Sequence, residues 1–181
     1  MSRWPLRPHP ATPCAVVQRL DVSLARAPDG WRLTYMLAGA LTALRLPPRS
    51  EHPGPADGLW RHTCFEAFVG TAGSPRYREF NFSPSGDWAA YAFAAVRQRD
   101  PSAPAGPAPR IACTHDARTL SLDAWLPIGA LPVADGVLGL SAVVQTTDGA
   151  LSYWALAHPC AQPDFHQAAG WTARLPDNRR P

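Results

Sequence analysis

The stretch Val16–Leu37, VVQRLDVSLARAPDGWRLTYML, decides the fold. Val16, Gln18, Leu20, Val22 and Leu24 alternate with Arg19, Asp21 and Ser23. A period of two describes a strand with one face buried and one wet. Asp29–Gly30 then separates this run from a second one, Trp31–Leu37. Asp-Gly between two alternating runs signals a tight hairpin, because both central residues of the favoured turn need positive φ.

The same punctuation recurs outward from there. Ala38–Leu46 extends the pattern toward another short strand, and Pro47–Gly58, with four prolines and two glycines, is a loop. Leu59–Gly70, Tyr77–Ser83 and Trp88–Arg97 read as strands, the last two joined by a turn at Ser85–Gly86. Trp88–Val96 is rich in Ala, the best helix former, but its length and its place after a turn favour a strand. Residues 100–109 are a Pro/Ala/Gly loop that cannot hold a ladder. Arg110–His115 and Thr119–Leu126 flank a turn at Asp116–Arg118, and Pro127–Gly136 has room for one helical turn. Gly139–Thr146 and Leu151–Ala157 flank a second Asp-Gly signal at Asp148–Gly149. About nine or ten strands, with turns every 8–15 residues or so, predict an all-β, antiparallel two-sheet sandwich. No repeat or domain boundary interrupts residues 1–181, so the chain is read as one domain.

Composition narrows the function. Of 181 residues, 46% are hydrophobic and 17% charged, which suits a packed core and excludes an acidic disordered chain. No apolar run approaches the about 20 residues of a spanning helix, so no membrane partner is expected. All 17 basic residues are Arg, the net charge is only +3, and no basic stripe appears, so nucleic-acid binding has no support. The four cysteines, Cys14, Cys64, Cys113 and Cys160, form no C-x-x-C pair, which excludes a zinc ribbon or thioredoxin motif. With no secretory signal in the first residues, a cytoplasmic location with reduced thiols is expected.

Strand parity locates the candidate site. Phe65, Ala67, Val69, Phe80 and Phe82 fall on one face, the expected core. Trp60, His62, Cys64, Glu66, Phe68, Tyr77, Glu79 and Asn81 fall on the other. That face is too polar for a core and too aromatic for a wet surface. Aromatic rings that stack on sugar C–H faces, together with carboxylates and amides for hydroxyls, are what a sugar site needs. Glu66 between Phe65 and Phe68 is expensive to bury without a partner, for which Arg61, Arg78 and Arg97 are the candidates. Structural readings stand beside these: Trp60 as an edge residue, Asn81 satisfying a turn, His62 as an ordinary strand histidine.

Leu59-Trp60-Arg61-His62-Thr63-Cys64-Phe65-Glu66-Ala67-Phe68-Val69, followed by Tyr77-Arg78-Glu79-Phe80-Asn81-Phe82-Ser83-Pro84-Ser85-Gly86-Asp87-Trp88, resembles the DOMON-like domains, relatives of the family 9 carbohydrate-binding modules. Trp154–Pro159 and Pro163–His166 are similar to the stand-alone bacterial members. The resemblance spans about residues 15–175. It implies a jelly-roll sandwich with a sugar or haem ligand at a concave face or an edge. In the sugar branch, two Trp side chains clamp the sugar while Glu, Asn and Arg bind hydroxyls. Carried over, Trp60 is a candidate clamp and Trp154 the second platform, with Glu66 and Asn81 as polar contacts. The haem branch uses a Met ligand, and Met36 is the only internal Met.

The expectation is therefore a non-catalytic domain binding a small molecule, a sugar or sugar derivative, through Trp60, His62, Glu66, Tyr77, Glu79, Asn81, Arg97 and Trp154, with no cofactor. One alternative is a hydrolase using Glu66 and Glu79 as paired carboxylates; His62, His115, His158 and His166 are its histidine candidates. The other is a metal or haem domain using the loop His-x-Cys-x3-Asp-x-His, in which His158, Cys160, Asp164 and His166 are the densest cluster of ligand types.

Overall fold

A computed structural model describes residues 2–132 and 135–175. Two short strands not expected from the sequence, β1 (Ser2–Pro5) and β2 (Arg7–Pro8), precede the period-two runs, which become β3 (Val17–Ala27), β4 (Gly30–Gly39), β5 (Cys64–Thr71), β6 (Tyr77–Phe82) and β7 (Trp88–Ala95). These are followed by β8 (Gln98–Arg99), β9 (Arg110–His115), β10 (Thr119–Pro127), β11 (Gly136–Gln145), β12 (Leu151–Ala155) and β13 (Ala173–Arg174). One sheet runs β1-β3-β4-β10-β9. The larger runs β2-β12-β11-β5-β6-β7-β8, with β13 also paired to β11. Every pairing within the two sheets is antiparallel. The fold is an all-β sandwich.

The inner faces share one core. Leu20, Val22, Leu33, Tyr35, Leu37 and Leu122 from the smaller sheet meet Phe65, Ala67, Phe80, Phe82, Leu138 and Leu140 from the larger. The expected inward parity of Phe65, Ala67, Val69, Phe80 and Phe82 holds, and all five are buried. The Tyr35 hydroxyl ends this core on a polar partner, donating to the Glu66 carbonyl at 2.8 Å.

Several local expectations shift for physical reasons. The first hairpin turns at Pro28–Asp29, with Ala27 paired to Gly30. Proline presets φ for the first turn position and Asp29 keeps negative φ, so no mirror-type turn is needed. Gly30 is required by close packing instead: a Cβ there would lie 2.0 Å from the Leu126 carbonyl oxygen. The second hairpin uses a longer turn in which only Gly149 has positive φ, while Asp148 accepts from the Thr146 hydroxyl and the Ala150 N–H. A bulge between Val17 and Arg19 moves Val17, rather than Val16 and Gln18, onto the core face. Ala38 and Gly39 end β4, and the rest of Ala38–Leu46 forms a 3-10 turn, Leu41–Ala43, and one bridge from Leu44 to Thr146 rather than a further strand. Leu59–Arg61 is likewise a 3-10 turn, so the strand containing Glu66 begins only at Cys64. Among the described residues of Pro127–Gly136 there is no helix.

Candidate functional site

The outer face of the larger sheet carries Cys64, Glu66 and Phe68 on β5 and Tyr77, Glu79 and Asn81 on β6. Glu66 lies opposite Asn81 in register, and Phe68 opposite Glu79. On the other flank Ser141 of β11 pairs with Glu66 and Gly139 pairs with Phe68. Phe68, Tyr77, Phe93 and Trp171 form a second hydrophobic cluster on this face, with Phe165 packed against it. Gly139 is what admits Trp171, since a Cβ there would come within 2.1 Å of the indole. The Trp171 indole N–H donates to the Phe165 carbonyl at 2.8 Å, closing the 165–171 segment on itself.

Beside this cluster opens a cavity of about 550 Å³. Its floor includes Glu66, Glu79 and Phe68, and its walls include Trp60, Phe93, Tyr153 and Phe165. Arg97, Arg99, Asp164 and His166 close one side, and Thr12 and Gln162 reach the rim. The volume lies within the ordinary range of small-ligand pockets.

The electrostatics of the floor are unusual. Glu66 is 3% exposed and Glu79 5%. Burial, and then the charge of Glu79, hold the Glu66 carboxyl well above the ordinary carboxylate range. The neighbouring Ser141 opposes the shift, although its buried hydroxyl completes no hydrogen bond of normal geometry. Burial also raises Glu79, against the pull of Asn81, Arg99 and Arg97. The Asn81 amide donates to Glu79 Oε1 at 2.6 Å. His166 is pushed down to about 4, first by burial and then by Arg97, so its imidazole is neutral at physiological pH. The Arg97 N–H donates to the Tyr77 hydroxyl at 3.1 Å, and that hydroxyl lies 2.7 Å from His166 Nδ1. The other ring nitrogen of His166, Nε2, lies 3.8 Å from Glu79 Oε2.

The structure sorts the expected site residues. Glu66, Glu79, Trp60 and Arg97 line the cavity. Trp60 gets there from the 3-10 turn and is 46% exposed. Asn81 and Tyr77 sit behind the lining, where they hold Glu79 and His166 in place. His62 lies outside the lining, with Nδ1 3.2 Å from the Gln145 amide oxygen. Trp154 is a correction: it points to the inner face of β12, is 4% exposed in the main core, and donates to the Ser152 hydroxyl at 3.0 Å. Its neighbour Tyr153 has the outward parity and lines the cavity instead. The expected arginine beside Glu66 is a second correction. Arg97 is drawn to Asp164 at 2.8 Å, and Arg78, on the inner parity of β6, donates to the Pro104 carbonyl at 3.0 Å. No ion pair reaches Glu66 among the described residues.

The metal candidates are not brought together. His158 Nε2 bonds the Arg7 carbonyl at 2.8 Å. Cys160 is exposed, and its carbonyl accepts from His9. Asp164 is occupied by Arg97, the His166 N–H and the Gln167 amide. Among the described residues no three His, Cys, Asp or Glu side chains gather in a metal-binding arrangement.

Sequence reasoning missed Tyr153, Arg99, Phe93 and Phe165. Strand parity was signal enough for Tyr153, whereas Arg99 and Phe165 reach the cavity through a turn and a loop that carry no period.

No protein-family model matches the chain, and no curated protein matches it. Among solved structures, the chain is similar to a Bacteroides uniformis protein described as a "putative carbohydrate-binding protein". The two share 15% identity and a TM-score of 0.62, over 94% of this chain and 84% of that one. At that identity the likeness establishes a shared fold.

Proposed function

We propose that the protein is a non-catalytic ligand-binding domain that takes a sugar or sugar derivative in the cavity over the outer face of its larger sheet. The observation that carries this reading is the meeting of buried carboxyls with aromatic side chains in one cavity: Glu66 and Glu79 on the floor, Trp60, Phe93, Tyr153 and Phe165 around them. Flat aromatic surfaces suit sugar C–H faces, and carboxyl groups suit hydroxyls. The fold shared with the Bacteroides protein supports the reading, as does the sequence resemblance to DOMON-like and family 9 jelly-roll modules. The core running from Leu6 to Ala173 supports a single domain. Four free cysteines are compatible with a cytoplasmic setting, and no described helix is long and apolar enough to cross a membrane.

Titration calorimetry of the folded protein against a panel of mono- and oligosaccharides tests the proposal. Saturable heat with at least one sugar is expected, and its loss in Glu66→Gln with the fold intact would locate the site. Absence of heat with every sugar overturns the reading.

One observation favours hydrolysis as a second reading. Glu66 and Glu79 share one cavity, and their surroundings differ, with arginines acting on Glu79 and none on Glu66. Unequal carboxyls are how an acid–base pair divides its roles. Turnover of aryl glycosides that disappears in both Glu66→Gln and Glu79→Gln would establish it.

A further inference from the structure

Glu66 and Glu79 stand diagonally across neighbouring strands on one sheet face, and both border the same cavity. Neither carboxyl has an arginine within ion-pair distance among the described residues; the nearest basic group is His166 Nε2, 3.8 Å from Glu79. The cavity's arginines are engaged elsewhere. Arg97 binds Asp164, and Arg99 lies 3.7 Å over the Tyr91 ring with Asp57 at 4.0 Å. Unpaired buried carboxyls are costly, and a well-placed cation removes the cost. The aromatic walls offer the same preference, because ring faces attract cations. A neutral hydroxyl would bring no counter-charge, and an acidic ligand would add a further negative charge.

Resting on the sugar-binding reading, we propose that the cavity takes a sugar carrying a protonated amine, with the ammonium seated between Glu66 and Glu79. An ammonium has three N–H donors and no acceptor, which matches the two carboxyls. Burial and then Glu79 raise the Glu66 carboxyl, and burial raises Glu79 as well. An incoming cation opposes these shifts, so binding favours release of a proton from the carboxyl pair to the buffer. Groups other than the two carboxyls do not supply that proton. Cys64 and Tyr35 are both raised by burial and keep theirs. His166 is already neutral, Asp164 is held low, and Arg97 and Arg99 stay charged.

The test is calorimetry with glucosamine, glucose, N-acetylglucosamine and galacturonate near neutral pH, in two buffers of different ionisation heat. Glucosamine should bind about tenfold or more tighter than the other three, the ratio one charge-assisted contact supports. Its heat should differ between buffers in the sense of proton release. Glu66→Gln should lose the preference, with thermal melting as the check on its fold, and Glu79→Gln provides a second variant. Sugars that bind without preference for the amine, or a preference that survives in both variants, overturn the amine seat and leave the sugar-binding reading in place. No heat with any of the four sugars overturns both.

Discussion

The Asn81 side-chain amide donates to Glu79 Oε1 at 2.6 Å while Asn81 itself sits opposite Glu66 in register. One fully buried amide therefore orients one floor carboxyl from directly across the strand from the other. Asn81 also accepts a weak contact from the Cys64 thiol at 3.6 Å. Truncation to Ala removes the donor and leaves Glu79 to be solvated by the cavity alone. Asn81→Ala should cost about 1–3 kcal/mol in denaturant melts, the range for stranding a buried partner. It should also weaken sugar binding, although Asn81 does not line the cavity. Unchanged stability would mean that water replaces the amide without loss.

Glu66 sets a pH dependence of definite sign. Its folded carboxyl is raised, chiefly by burial, so above the ordinary value of 4.5 the folded state retains a proton that the unfolded state has lost. Stability from this group is whole below 4.5 and falls as pH rises toward the folded value, by at most about 1.4 kcal/mol per pH unit. Glu79 acts in the same direction. Glu66→Gln should remove part of the fall, so the variant should gain on the wild type as pH rises. Parallel stability curves for the two proteins from acid to neutral pH would show that Glu66 ionises normally.

His166 works the other way. Its folded value of about 4 lies below the ordinary 6.5, first because of burial. Between these values the unfolded chain binds the proton more readily. Stability from His166 is therefore present above 6.5 and is lost as pH falls toward 4. The difference amounts to about 3 kcal/mol. His166→Gln should flatten that part of the curve in acid melts. A histidine resonance titrating near 6.5 in the folded protein would contradict the neutral imidazole.

The fold was legible because its signals are local. Alternation in Val16–Leu37 and parity around Phe65 and Phe80 report which face is buried without reference to the rest of the chain. The bulge after Val17 and the 3-10 turn at Leu59–Arg61 escaped because each breaks a period rather than extending one. At the site, parity correctly put Glu66, Glu79 and Asn81 on one face. It could not say that the 158–167 loop would return over that face, drawing Arg97 away to Asp164 and leaving Glu66 without the expected arginine. Loop placement depends on long-range packing, here Trp171 entering the space left by Gly139, and no short window of sequence encodes it.

The adjacent pair Tyr153 and Trp154 offers the most direct check on which side chains meet the ligand. Successive residues of β12 point to opposite faces of the sheet. Trp154 is 4% exposed in the main core, while the Tyr153 ring lies on the outer face, 5.9 Å from Phe165, at the cavity wall. Trp154→Ala should therefore cost about 3–5 kcal/mol through lost burial and the cavity left behind. Tyr153→Ala should change stability much less, because the ring is only half-buried, and should weaken sugar binding by removing a stacking surface. Denaturant melts and calorimetry on both variants separate the two effects. Weakened binding in a folded Trp154→Ala, with Tyr153→Ala binding normally, would restore Trp154 as the sugar platform and reverse the assignment of faces on β12.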